Sequence, residues 1–190
     1  MYNDEGELVA SWDELVNTYG LDITTSYAWD TYKTEEKSGY TVLNKVKEAT
    51  GKTITKLVLP EVVTSLRDYA FAGCSDLTSV TFPSTFTTLG TSSFESCTGV
   101  TKLDFYDTQL ATIGVTAFNR CTELRELYLP NTVETLGKQM IGYCHDMTIY
   151  YAGDNSAWDE LKANSDWDYY YDLDGIGSGS LEVETDYTHS

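Results

Sequence analysis

The sequence predicts an α/β repeat solenoid with one strand and one short helix or turn per coil, a parallel sheet along one face and helical caps at both ends. Three observations predict it. Cys74, Cys97, Cys121 and Cys144 follow one another at intervals of 23, 24 and 23 residues. A bulky apolar residue, Phe71, Phe94, Phe118 or Ile141, stands three places before each cysteine. Each unit also carries an alternating apolar pair: Leu57 with Leu59, Val80 with Phe82, Leu103 with Phe105, and Leu127 with Leu129. A fixed period in the range of roughly 20–50 residues marks stacked supersecondary units, because one unit cannot bury its apolar face alone.

Within a unit the two halves have different periods. The alternating pair reads as a short strand with Leu57 and Leu59 inward, and Pro60, Pro83 and Pro130 close three of the four strands because proline cannot donate to a ladder. The third unit has Tyr106 at that place and one extra residue before Leu110. From Leu66 through Ala70 and Phe71 to Cys74, apolar residues fall at i, i+4, i+5 and i+8, the spacing of one face of a short helix. The repeats therefore span 54–147, in about four coils.

The caps are read in chain order. Residues 1–53 form an N-terminal helical cap. In "SWDELVNTYG", Ser11 is an N-cap with Glu14 three residues on, a capping box, and Gly20 is the expected stop. A second helix is expected over Thr41–Thr50, with Val42, Leu43, Val46 and Ala49 on the face that covers the open end of the first coil, and Gly51 ending it. Residues 148–174 form a C-terminal cap with a strand over Thr148–Tyr151 and a helix over Ser156–Ala163 that turns Trp158 and Leu161 inward as a plug. Residues 175–190 read as a Gly-Ser linker and tail, in which Leu181-Glu182-Val183 either adds an edge strand or stays disordered.

The stretch "LVLPEVVTSLRDYAFAGCSDL" and its three echoes resemble the bacterial leucine-rich repeats of the BspA type over about 54–152. That resemblance implies a surface-displayed module that engages host or neighbouring macromolecules, as adhesins built from such repeats do. The end of the array, with Trp158 and Trp167, is also similar to the way members of that family finish.

Thirty acidic against twelve basic side chains give a net charge of −18, which repels nucleic acid and anionic lipid surfaces. No run approaches the ~20 apolar residues of a membrane span, so membrane insertion is not expected. The N-terminus "MYNDEGELVA" lacks the pattern of a secretory signal. Localisation then divides into cell surface or extracellular, for a piece of an exported protein, and virion, for a phage-encoded one.

The cysteines recur a coil apart in register with Phe and Leu, whereas zinc ligands come in pairs two to four residues apart. They read as free core thiols in a ladder along the solenoid, since parallel side-chain directions suit a disulfide poorly. No metal site is expected. "DLDGIG" at 172–177 resembles a calcium loop, but Tyr170 and Leu181 would stand where oxygen ligands belong. No phosphate loop, G-x-S-x-G or H-E-x-x-H occurs, and His145 and His189 are the two histidines. Neither catalysis nor a cofactor is expected.

The outward strand positions remain: Lys56, Val58, Thr81, Lys102, Asp104, Glu126, Tyr128 and Tyr150. They read either as a binding face for protein or glycan or as an ordinary solvated sheet face, and replacing Lys102, Asp104, Glu126 and Tyr128 is expected to leave stability nearly unchanged. "YYY" at 169–171 beside Trp167 either contacts a partner or seals the cap. The functional expectation is a non-enzymatic macromolecule-binding module in surface adhesion; the alternative is a structural or decoration component of a bacteriophage virion.

Overall fold

Inward apolar residues at every strand fix the architecture. In the computed structural model, which describes residues 1–25, 31, 33–167 and 180–188, the front strands are β1 (Lys56–Val58), β3 (Ser79–Thr81), β5 (Lys102–Asp104), β7 (Glu126–Leu129) and β9 (Met147–Tyr151). Leu57, Val80, Leu103, Leu127 and Ile149 at their centres are all buried. Four two-residue strands, β2 (Ser65–Leu66), β4 (Thr88–Leu89), β6 (Thr112–Ile113) and β8 (Thr135–Leu136), form a parallel rear sheet in the order β2-β4-β6-β8. The front sheet is parallel as well, but β1-β3 and β5-β7-β9 are separate ladders: β3 and β5 are neighbours in the stack that do not pair.

The helix expected over 66–74 is not formed; the chain makes successive turns there, in every coil. Two residues per coil have positive φ: Tyr69 and Gly73, Ser92 and Ser96, Thr116 and Arg120, Gln139 and Tyr143. A helix cannot run through left-handed residues. In the first three coils their amides bond instead to the next coil, Tyr69 N to Thr91 O at 2.9 Å and Arg120 N to Gly142 O at 2.7 Å. Phe71, Phe94 and Phe118 donate between coils in the same way, to Ser93, Ala117 and Met140 carbonyls. The backbone is satisfied along the stack, so the i, i+4 apolar spacing is met without i→i−4 bonding.

The caps follow local sequence signals. Helix α1 (Trp12–Asn17) starts at Ser11, whose hydroxyl accepts from Glu14 N while the Glu14 carboxylate accepts from Ser11 N, the complete capping box; it stops at Thr18, before Gly20. Helix α2 (Gly39–Thr50) ends on left-handed Gly51 and buries Val42 and Val46; Leu43 is half-buried and Ala49 faces out. Gly39 lies against the Phe71 ring, so α2 does cover the first coil. Residues near the N-terminus also pair with β1, Tyr2 N donating to Lys56 O at 2.9 Å. At the other end α3 (Asn155–Ala163) turns Trp158 and Leu161 inward, and Trp167 packs edge-on against Trp158 at 5.4 Å.

Of the two readings for residues 181–183, the edge strand is the one found. Strand β10 (Leu181–Glu184) pairs parallel to β9, Leu181 opposite Met147 and Glu184 opposite Tyr150. The sequence readings at 169–177 and at His189 lie outside the described residues.

All four cysteines are buried and unbridged. Their thiols also have a role that composition does not reveal. Cys97, Cys121 and Cys144 donate through Sγ to the carbonyls of Phe71, Phe94 and Phe118 one coil back, at 3.2, 3.2 and 3.3 Å. A small apolar residue with a weak donor suits that place. Burial pushes the Cys74, Cys97 and Cys121 thiols well above the ordinary thiol range, with Asp76, Cys74 and Cys97 respectively adding to it. The unfolded chain therefore loses these protons first: their stabilisation is full below pH 9.0 and is lost as pH rises above it. A thiol-specific reagent should leave the four cysteines unmodified in the folded protein at neutral pH and modify all of them after unfolding, and thermal stability should fall on the alkaline side of the thiol range. Fast labelling of the folded chain would refute buried thiols.

Candidate functional site

The front face is assembled by register. Lys102, Glu126 and Thr148 stand in one row across β5, β7 and β9, and Asp104, Tyr128 and Tyr150 in the next. Neighbouring strands lie about 4.8 Å apart, so row members touch. The Tyr128 and Tyr150 rings stack at 4.5 Å with 10° between their planes. On the other side of Tyr128, Lys102 Nζ sits 4.1 Å from the ring centroid while also pairing with Asp104 at 3.2 Å. Tyr128 Oη donates to Glu126 Oε2 at 3.0 Å. Burial, then the adjacent carboxylate, holds the Tyr128 phenol well above the ordinary tyrosine range.

These contacts alter one expectation. Tyr128 is only 7% exposed, with the Lys102 ammonium and the Tyr150 ring on its two faces, so replacing Lys102, Asp104, Glu126 and Tyr128 together would cost stability. A cation over an aromatic face contributes about 0.5–2 kcal/mol.

The residue that closes this half of the face lies in the C-terminal segment. After β10 the chain reverses at Asp186, whose φ is +55°. Asp186 N donates to Gly153 O at 2.8 Å and Tyr187 N to Tyr151 O at 3.1 Å. The Tyr187 ring then lies 5.1 Å from Tyr128, 5.0 Å from Tyr150 and 5.8 Å from Tyr106. Neither Tyr106 nor Tyr187 carries a local signal: one interrupts the proline position of the third unit, and the other sits in an acidic tail.

The other half of the face is open. Lys56 and Val58 on β1 stand opposite Ser79 and Thr81 on β3, and Val58 is 40% exposed. Where β3 and β5 fail to pair, a groove of about 610 Å³ runs along the face, lined by Ser79, Thr81, Ser84, Thr101, Lys102 and Asp107 among others. Phe82 and Phe105, with ring centroids 4.2 Å apart, sit at the strand ends beside it, where the first and fourth units carry Leu59 and Leu129. The structure thus places the eight outward residues on one face, joins five of them, Lys102, Asp104, Glu126, Tyr128 and Tyr150, into one packed cluster, and leaves Lys56, Val58 and Thr81 apart from it. Among the described residues no three His, Cys, Asp or Glu side chains converge as metal ligands do, and no helix is long and apolar enough to cross a membrane.

A parallel solenoid with a mixed polar and aromatic strand face is a repeat-built scaffold of the kind that presents binding surfaces. The chain belongs to the BspA-type leucine-rich repeat family, whose profile matches residues 49–160. Repeats of this family generally serve as non-catalytic binding modules. The chain is similar to a T. pallidum leucine-rich repeat protein of known structure, with 24% identity and a TM-score of 0.48, over 50% of this chain and 45% of that one. It is also similar to a leucine-rich repeat protein from Bacteroides ovatus, with 21% identity and a TM-score of 0.49, over 60% of this chain and 30% of that one. The chain thus spans less than half the length of either. No curated protein matches the sequence.

Proposed function

We propose that this protein is a non-enzymatic recognition module that engages a protein or glycan through its front strand face, in a surface-displayed, adhesive role. The observation that supports the reading is the register-locked array of outward side chains, which a solenoid holds at fixed spacing with little ordering cost on binding. The open half, Lys56, Val58 and Thr81 beside the β3–β5 groove, is the accessible contact surface, and the net charge of −18 favours neutral or basic partners over anionic ones. Immobilised panels of purified glycans and cell-surface proteins test it. A ligand captured by the native chain should lose at least about tenfold in affinity, roughly 1.4 kcal/mol, when Lys56, Val58 and Thr81 are all replaced by Ala, with thermal stability unchanged. Undiminished capture by that variant would overturn the assignment of the face.

A further inference from the structure

The C-terminal segment occupies the front face as a ligand would. It extends the sheet by one strand through β10, and it lays Tyr187 on Tyr106, Tyr128 and Tyr150. Among the described residues its attachment is one-sided: Ser180 N donates to Asp146 Oδ1 at 3.1 Å, Met147 N to Ser180 O at 3.1 Å, and Thr185 Oγ1 to Asn155 Oδ1 at 2.9 Å. None of residues 180–188 is buried, whereas β9, with which it pairs, alternates buried and half-buried residues. Edge strands held from one side are the usual place where another extended chain can add or exchange.

Charge works against this occupant. Glu182, Glu184 and Asp186 are exposed carboxylates docked on a chain of net charge −18, and like charges weaken association most at low salt. A segment of the same shape without those carboxylates would be held more tightly.

We propose that residues 180–188 are an intramolecular stand-in for the protein's partner: the C-terminal half of the front face recognises an extended, neutral or basic polypeptide strand that pairs with β9 and seats a tyrosine among Tyr106, Tyr128 and Tyr150. The chain's own acidic tail holds that place until such a strand displaces it. This rests on the reading of the front face as a recognition surface and specifies the partner of its covered half as a peptide strand.

The test uses the full chain and a fluorescein-labelled peptide of sequence SLQVQTNYT, which is residues 180–188 with the three acids changed to amides. Anisotropy titrations compare the native chain with Tyr187→Ala and, as an independent way to loosen the tail, with Asp186→Pro, which removes the amide bonded to Gly153 O. Both variants should bind the peptide about tenfold or more tighter than the native chain, because apparent affinity rises as the competing occupant is released. A peptide with alanine for its tyrosine should lose about tenfold, and raising salt should weaken the peptide's advantage over the native tail. Absence of peptide binding to both variants, or equal binding to native and variant chains, would overturn the proposal. That outcome would leave the open half of the face, probed by Lys56, Val58 and Thr81, standing on its own test.

Discussion

Phe94→Ala is expected to lower the unfolding free energy by about 3–5 kcal/mol, read from the midpoint of urea denaturation at unchanged slope. The ring is fully buried, stacks on Phe71 at 5.7 Å, and meets Phe82 edge-on at 5.9 Å. Its removal opens a void inside the stack, where coils above and below are held by backbone bonds and cannot collapse inward. Phe94 N donates to Ala117 O at 2.9 Å, and the Phe94 carbonyl accepts the Cys121 thiol at 3.2 Å. Those main-chain contacts survive the substitution, so the loss measures packing. A control at Val62, 80% exposed, should stay within about 0.5 kcal/mol. A loss below about 1 kcal/mol for Phe94→Ala would contradict a close-packed core at this rung.

The second large effect concerns backbone approach at the rear sheet. Gly90, Gly114 and Gly137 follow one another in register, each just after its rear strand. A Cβ at Gly114 would lie 2.5 Å from the carbonyl carbon of Gly90 and 2.6 Å from its oxygen. Both obstacles are main chain, and Gly114 N is already bonded to Leu89 O at 2.8 Å. Gly114→Ala must therefore spread two coils, at a cost of about 1–3 kcal/mol as overpacking. Its signature should be local: hydrogen exchange should accelerate at the amides that join β4 to β6, with less change at β9. A neutral Gly114→Ala would mean that the coils are farther apart than the structure places them. The first unit has Arg67 at this position, where the neighbour is the N-terminal cap, with Arg67 N bonded to Ile23 O.

The repeat, the inward residues and the capping box at Ser11 are legible because each is encoded within one coil or one helical turn. Leu57, Val80, Leu103 and Leu127 are apolar at matching places in four units, and burial is the physical consequence of that placement. The 66–74 stretch was legible in composition but not in conformation. Apolar spacing of i, i+4, i+5 and i+8 suits both a helix and a run of stacked turns, and left-handed residues such as Tyr69, Ser92 and Arg120 give no warning because they are not glycine.

For the candidate site the division is sharper. The outward positions follow from alternation, so Lys102, Asp104, Tyr128 and Tyr150 could be placed on one face by counting. Their state could not. Tyr128 is enclosed because Lys102 and Tyr150 arrive from neighbouring coils in register and Tyr187 returns from beyond α3. By itself the sequence determined the period, the buried set, the core thiols and the family to which the repeats belong, since these depend on contacts that recur every 23 or 24 residues. Only the tertiary structure decided that the coils turn rather than wind into helices, that β3 and β5 part to open a groove, and that the C-terminal segment adds a strand beside β9 and sets Tyr187 against Tyr106, Tyr128 and Tyr150. The last two rest on contacts made once, between residues far apart in the chain, and leave no period to read; the turns recur in every coil, but their bonds run between coils and their left-handed residues are mostly not glycine.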